Sequence, residues 1–151
     1  MPIPLKSPPA VLELMRVIWA LDHALQSRSK AMANALGITG PQRFVLRVLE
    51  LAPGISSGEL AEYLHLHPST LTGVLQRLER RKLLSRRRDP NDARRVLLEL
   101  TSAGRRVLKK RIASVEAVVR TAISRERGEE IDTAVEVLQR LTSALETAAS
   151  P

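Results

Sequence analysis

The sequence predicts a mainly α-helical fold with one small β element, a wing of two to three strands. Three observations carry this. Apolar residues recur at helical spacing over most of the 151 residues. The period switches once to alternation, between residues 83 and 100. The two alternating stretches are joined by Arg88-Asp89-Pro90-Asn91-Asp92-Ala93-Arg94-Arg95, a turn signal set among basic residues. The order is four helices, two strands and two helices. Its middle is a helix–turn–helix followed by a ribbon, which is a winged helix–turn–helix.

Each element follows from local chemistry. Ser7-Pro8-Pro9 reads as an N-cap with prolines in the first turn. Leu14, Ile18, Leu21 and Leu25 then form a stripe, and Gly37 ends the helix. Thr39-Gly40-Pro41-Gln42 fits a capping box and opens a second helix carrying Phe44, Val45, Val48 and Leu49, which Pro53-Gly54 stops. Ser56-Ser57-Gly58-Glu59 is another capping box, opening a short helix with Leu60, Ala61 and Leu64 inward. His67-Pro68 breaks it, and Pro68 suits the first position of a fourth helix reaching residue 82. Leu71, Val74, Leu75 and Leu78 make its apolar face.

Residues 83–89 and 95–100 read as paired strands, with Val96, Leu98 and Leu100 on one face and Leu97 and Glu99 on the other. Proline second and asparagine third in residues 89–92 place the reversal there. A two-stranded ribbon is marginal alone and needs helices over its apolar face. Thr101 caps a helix expected to run to about residue 125, with Leu108, Ile112, Val115, Val119 and Ala122 in line. A last helix is expected over residues 129–148, with Ile131, Val135, Leu138, Leu141 and Leu145 at helical spacing.

Charge locates the function. The chain has 24 Lys+Arg against 16 Asp+Glu, a formal charge of +8 and a pI of about 11.0, which favours anionic partners. Residues 77–111 hold fourteen basic and four acidic residues, a net +10, so the remainder carries −2. Such runs often only solubilise a surface. Here they flank an element shaped to enter a groove, and the expected partner is double-stranded DNA.

On the fourth helix, Ser69, Thr70, Thr72, Gly73, Gln76 and Arg77 are the candidate DNA-facing residues. Short hydroxyls and a glycine allow close approach, while Gln76 and Arg77 reach base edges. Some contacts of this kind touch only phosphate. On the wing the candidates are Arg86, Arg88, Asp92, Arg94 and Arg95. An arginine on a narrow tip suits an A·T-rich minor groove, and Asp92 is spaced to aim an arginine two or three residues on. Ser56 and Ser57 are candidate phosphate ligands, with capping as their alternative role.

Other chemistries are weaker or excluded. The absence of cysteine removes disulfides, thiol nucleophiles, thiol redox sensing and Cys-ligated zinc. His65 and His67 lack chelating geometry and a completing carboxylate, so no metal site is expected; His67 reads as a cap-region residue and His65 as a surface polar. Neither a phosphate-binding glycine loop nor a nucleophile–base pair is present, so no enzyme and no cofactor is expected. No apolar run spans a bilayer and no secretory signal opens the chain, which makes the cytoplasm the expected location and a membrane an unexpected partner.

Residues 60–105, LAEYLHLHPSTLTGVLQRLERRKLLSRRRDPNDARRVLLELTSAGR, closely resemble the MarR family of winged helix–turn–helix transcriptional regulators. Asp92-x-Arg94-Arg95 after Asp89-Pro90 is the most specific part, and Leu100-Thr101-x-x-Gly104-Arg105 also matches. The resemblance implies a single domain over 1–151, with a DNA-binding lobe over 37–101 and dimerisation helices over 8–35 and 102–148. It implies a homodimer on a pseudo-palindromic operator, with the helix from Pro68 in the major groove. Arg94 would lie in the minor groove, positioned by Asp92, with Arg95 supporting the wing or the backbone contact. It further implies a repressor released by a small aromatic or anionic effector held between the dimer helices and the DNA-binding lobe. Trp19 is the candidate effector-pocket residue, and core or interface packing is its alternative. The thiol-based peroxide sensing of some members is excluded here by the missing cysteine. A ligand-independent or architectural DNA-binding protein and an RNA- or protein-docking winged helix are the rival classes.

Overall fold

In the computed structural model, which describes residues 9–149, the helical and alternating stretches become seven helices and two strands. They are α1 (Ala10–Leu36), α2 (Gly40–Leu51), α3 (Ser57–Tyr63), α4 (Pro68–Arg80), β1 (Leu84–Arg88), β2 (Val96–Leu100), α5 (Ser102–Lys109), α6 (Val115–Ala122) and α7 (Gly128–Ala149). The chain divides into two compact units, one up to Val115 and one from Glu116 onward.

Side-chain chemistry sets the helix boundaries of the first unit. Gly37 ends α1 in the left-handed region, at φ 71°, and its N–H donates to the Ala33 carbonyl. Both capping boxes form: Thr39 with Gln42 opens α2, and Ser56 with Glu59 opens α3. The expected cap Ser7 lies outside the described residues. Pro9 stands at the N-cap of α1, one position before the first turn.

The core lies between α2, α3, α4, the base of the wing and α5. Leu46, Leu60, Leu71, Leu75, Leu78 and Leu98 are almost fully buried there. Each contributes about 1.5–3 kcal/mol by leaving water. Phe44 departs from the expected apolar face of α2: it points outward and is exposed, whereas Val45, Leu46, Val48 and Leu49 turn in.

β1 and β2 pair antiparallel, with Leu84 opposite Leu100 and Arg88 opposite Val96. A third segment joins the other edge of β2. Leu98 N–H donates to the Ile55 carbonyl at 2.9 Å, Gly54 N–H donates to the Leu98 carbonyl at 3.1 Å, and Ser56 bridges Leu97. This makes β2 the central strand, and Leu97, on the face opposite Leu98 and Leu100, is buried as they are.

Two further expectations are corrected. The tight reversal of the wing closes over residues 92–95, where Arg95 N–H donates to the Asp92 carbonyl at 2.9 Å, instead of over 89–92. Asp89 and Asp92 each accept a backbone N–H two residues on, from Asn91 at 2.8 Å and Arg94 at 3.0 Å. Two successive side-chain turns thus move the reversal toward the second strand. The single helix expected over 101–125 is broken at residues 110–114. The carbonyls at the end of α5 are capped from α2: buried Arg43 donates to Val107 at 3.1 Å and to Leu108 at 3.0 Å, and Arg47 donates to Leu108 at 3.4 Å. Carbonyls satisfied this way need no further helical turn. Lys110 leaves the helix at φ −62°, ψ 125°, and Arg28 of α1 holds the Ala113 carbonyl.

In the second unit, α6 and α7 bury no residue completely. Val118, Val119, Ile123, Val135, Leu138 and Leu145 remain exposed.

Candidate nucleic-acid interface

α4 carries two opposed faces. Leu71, Leu75 and Leu78, at i, i+4 and i+7, fix its inner side in the core. That leaves Ser69, Thr70, Thr72, Gln76 and Arg77 exposed along the outer side, with Gly73 half-buried among them. Nothing lies within 4 Å of where a Cβ would stand on Gly73, so the helix backbone is open to close approach at that point. His67 caps the helix: its Nδ1 accepts the Ser69 backbone N–H at 3.2 Å and lies 2.6 Å from the Ser69 hydroxyl. The Thr72 hydroxyl donates to the Pro68 carbonyl at 2.8 Å.

The wing tip is organised by its two aspartates. Asp92 Oδ1 accepts the Arg94 backbone N–H at 3.0 Å and the Arg94 Nε–H at 3.2 Å. One carboxylate oxygen therefore fixes both the backbone and the side-chain direction of Arg94, whose side chain is 92% exposed. Arg95 turns the other way. It donates to Glu59 Oε1 at 2.9 Å, and its Nε lies 3.9 Å from Asp89 Oδ2. Glu59 also accepts the Ser56 N–H at 2.8 Å and the Ser56 hydroxyl at 2.7 Å. These Ser56 hydrogen bonds, hydroxyl first and backbone second, hold the Glu59 carboxyl below the usual carboxylate range, and the charge of Arg95 adds to the effect. The wing is thereby tied to the start of α3.

The expected site residues thus separate by partner. Arg94 projects outward under the hold of Asp92, while the side chains of Arg77 and Arg88 are exposed and form no ion pair among the described residues. Arg86 is drawn back to Glu79 at 3.0 Å. Arg95 anchors the wing. The Ser56 hydroxyl is engaged in its capping box, whereas Ser57 stands beside it at the first position of α3. Trp19 sits on α1, 65% exposed, far along the chain from the wing.

Two further groups matter that the basic run alone did not single out. Glu59 was visible as a cap, but its partner Arg95 is 36 residues away. Arg81, counted in the positive field, donates to the Gly37 and Leu36 carbonyls and closes the end of α1. Among the described residues, no group of three His, Asp or Glu side chains is placed to hold a metal ion, and no helix is long and apolar enough to cross a membrane.

Comparison with known proteins agrees with this geometry. The model of the MarR family matches residues 36–95, from the end of α1 to the wing tip. The organic hydroperoxide resistance transcriptional regulator of Bacillus subtilis is 30% identical over 135 residues, covering 89% of this chain and 86% of that protein. The HTH-type transcriptional repressor Rv2887 of Mycobacterium tuberculosis is 32% identical over 109 residues, 72% of this chain and 76% of that one. Among solved structures, the PcaV transcriptional regulator from Streptomyces coelicolor, in complex with its natural ligand, is 27% identical; the match covers 96% of this chain and 99% of that chain, with a TM-score of 0.62. An exposed, oriented wing arginine beside an outward polar helix, in a chain this similar to transcriptional regulators and repressors, has one consistent assignment: the protein belongs to the MarR family of DNA-binding transcriptional regulators and is not an enzyme.

Proposed function

We propose that the protein is a homodimeric repressor that binds a pseudo-palindromic operator and is released by a small-molecule effector. The observation that carries the DNA-binding part is the pairing of two outward elements. α4 offers Ser69, Thr70, Thr72, Gly73, Gln76 and Arg77 to the major groove, and Asp92 aims Arg94 toward the minor groove. Arg88 and Ser57 are placed for phosphate, where contacts set position more than sequence. Arg86 is released to DNA only by leaving Glu79. Arg95 supports the wing.

The dimer rests on uncovered apolar surface. Along α1, Val11, Leu12, Leu14, Met15, Val17, Trp19, Leu21 and Leu25 are all exposed, and α7 leaves Val135, Leu138 and Leu145 exposed. An apolar helix face left exposed in this way marks an interaction face. In a symmetric dimer such faces are covered by the partner copy, and Trp19 lies at the interface or beside an effector pocket. The solved PcaV regulator holds its natural ligand, which supports a small-molecule effector here. A thiol-based peroxide response is not open to a chain without cysteine.

Footprinting on DNA selected from a random pool tests the reading. A protected site with dyad symmetry, bound by two chains, supports it. Binding without sequence preference, or by a monomer at micromolar concentration, would sink it. Loss of the footprint on adding a small aromatic acid separates the ligand-released repressor from a ligand-independent DNA-binding protein.

Two substitutions on α4 sharpen the test. Gln76→Ala is expected to alter preference among operator variants, by about 1–3 kcal/mol at the base pair it reads, more than affinity for random DNA. Equal losses on both would make Gln76 a positioning residue. Gly73→Ala is expected to stabilise the free protein by about 0.5–1 kcal/mol, since the added methyl meets no atom and alanine favours helix. The same methyl would stand between helix and groove, so operator affinity should fall. A melt and a titration of the one variant must therefore move in opposite directions.

A further inference from the structure

The contact between His67 and Ser69 carries a consequence for base recognition. A backbone N–H can only donate, so the His67 Nδ1 that receives the Ser69 N–H at 3.2 Å is an acceptor. The neutral ring then carries its proton on Nε2. The Ser69 oxygen lies 2.6 Å from the same Nδ1. Two lone pairs facing each other at that distance would repel, so the hydroxyl proton lies between them. Ser69 thus spends its only hydroxyl hydrogen inside the protein, and its remaining lone pairs are what it offers outward.

We propose that His67 is a positioning residue that fixes Ser69 as a hydrogen-bond acceptor, so that Ser69 reads an exocyclic amino group in the major groove. This rests on the reading that α4 enters that groove. The donors displayed there are the 6-amino group of adenine and the 4-amino group of cytosine; guanine and thymine present acceptors at the equivalent positions. An acceptor-only Ser69 gains nothing from a phosphate oxygen, which is itself an acceptor. Ser69 is therefore a base-reading residue, unlike a free serine at the same place, which could donate to either. Thr72, whose hydroxyl donates to the Pro68 carbonyl, has the same polarity one helical turn along.

The test is a binding titration on the selected operator, with single base analogues at each position of the half-site. Adenine is replaced by purine and cytosine by 2-pyrimidinone, each lacking only the amino group. At one position the wild-type protein should lose about tenfold in affinity. Which analogue produces the loss identifies the base. Ser69→Ala should show no such loss. His67→Asn keeps an acceptor oxygen at the cap and should retain the preference. His67→Ala returns the proton to Ser69 and should tolerate guanine or thymine at that position. Melting curves show whether each variant is folded. If His67→Ala does not fold, Ser69→Ala and His67→Asn decide. An unchanged analogue profile in folded Ser69→Ala, or loss of the preference in folded His67→Asn, overturns the inference while leaving α4 as the recognition helix. Failure of the wild-type protein to bind any selected duplex instead overturns the DNA-binding reading itself.

Discussion

Arg94→Ala is expected to weaken operator binding by about 1–3 kcal/mol, roughly 5- to 150-fold. The loss comes from one side chain, which the protein has already oriented. Asp92 Oδ1 holds both the backbone N–H and the Nε–H of Arg94, so the guanidinium meets the groove with less conformational entropy left to lose. The slope of log affinity against log salt should fall by about one, the signature of one released counterion. Thermal stability should barely change, because an ion pair this exposed contributes little to folding. Asp92→Ala should reproduce part of the affinity loss with the salt slope intact, since Arg94 keeps its charge and loses only its direction. Replacing A·T pairs by G·C where the tip lies should penalise the wild-type protein and leave Arg94→Ala indifferent. Equal affinity and salt dependence for wild type and Arg94→Ala would remove the wing from the interface.

Gly104→Ala is expected to be the most damaging small substitution for folding. An added Cβ would stand 2.2 Å from the Leu83 carbonyl oxygen and 2.6 Å from Leu100 Cδ1. The carbonyl cannot swing aside, because it also receives the Thr101 N–H at 3.2 Å. Thr101 in turn caps α5 through Gly104 N–H at 3.1 Å and donates to the Lys82 carbonyl at 2.7 Å. Moving α5 outward would loosen the junction of wing and helix. Overpacking of this kind costs about 1–3 kcal/mol. For a chain of this length the melting temperature should drop by roughly 2–4 °C per kcal/mol. Gly58→Ala is the control: nothing lies within 4 Å of its Cβ position and it lies within α3, so its melting temperature should hold or rise slightly. If both variants melt alike, the close packing of α5 against Leu83 is not what fixes the wing base.

Much of this fold could be read without coordinates because its signals are local. Thr39 with Gln42 and Ser56 with Glu59 satisfy helix-end donors within four residues, and both boxes form where the sequence places them. Leu71, Leu75 and Leu78 define the inner face of α4 by spacing alone, which leaves its outer residues exposed as expected. Asp92 and Arg94 are two residues apart, so their bond is equally local. Where the structure departs from the local pattern, the cause is the opposite. The apolar stripe from Leu108 to Ala122 runs unbroken in sequence, yet the helix stops at Lys109 because Arg43 and Arg47 reach its last carbonyls from more than 60 residues away. Phe44 is spaced with the buried residues of α2 yet stays exposed, because apolar spacing alone does not say how wide the covered face of a helix is.

By itself, then, the sequence determined the order of elements as far as the wing, the capping boxes of α2 and α3, the inward face of the fourth helix, the wing and the concentration of positive charge around it. All of these depend on neighbours a few residues apart. Only the tertiary structure decided which arginines face outward. Arg81 is spent on the end of α1, Arg43 and Arg47 on the end of α5, Arg28 on Ala113, Arg86 on Glu79 and Arg95 on Glu59, while Arg77, Arg88 and Arg94 are left toward solvent. A sum of charges cannot separate them. A guanidinium is absorbed when folding carries a carbonyl or carboxylate within reach of it, and most of those partners lie tens of residues distant in the chain.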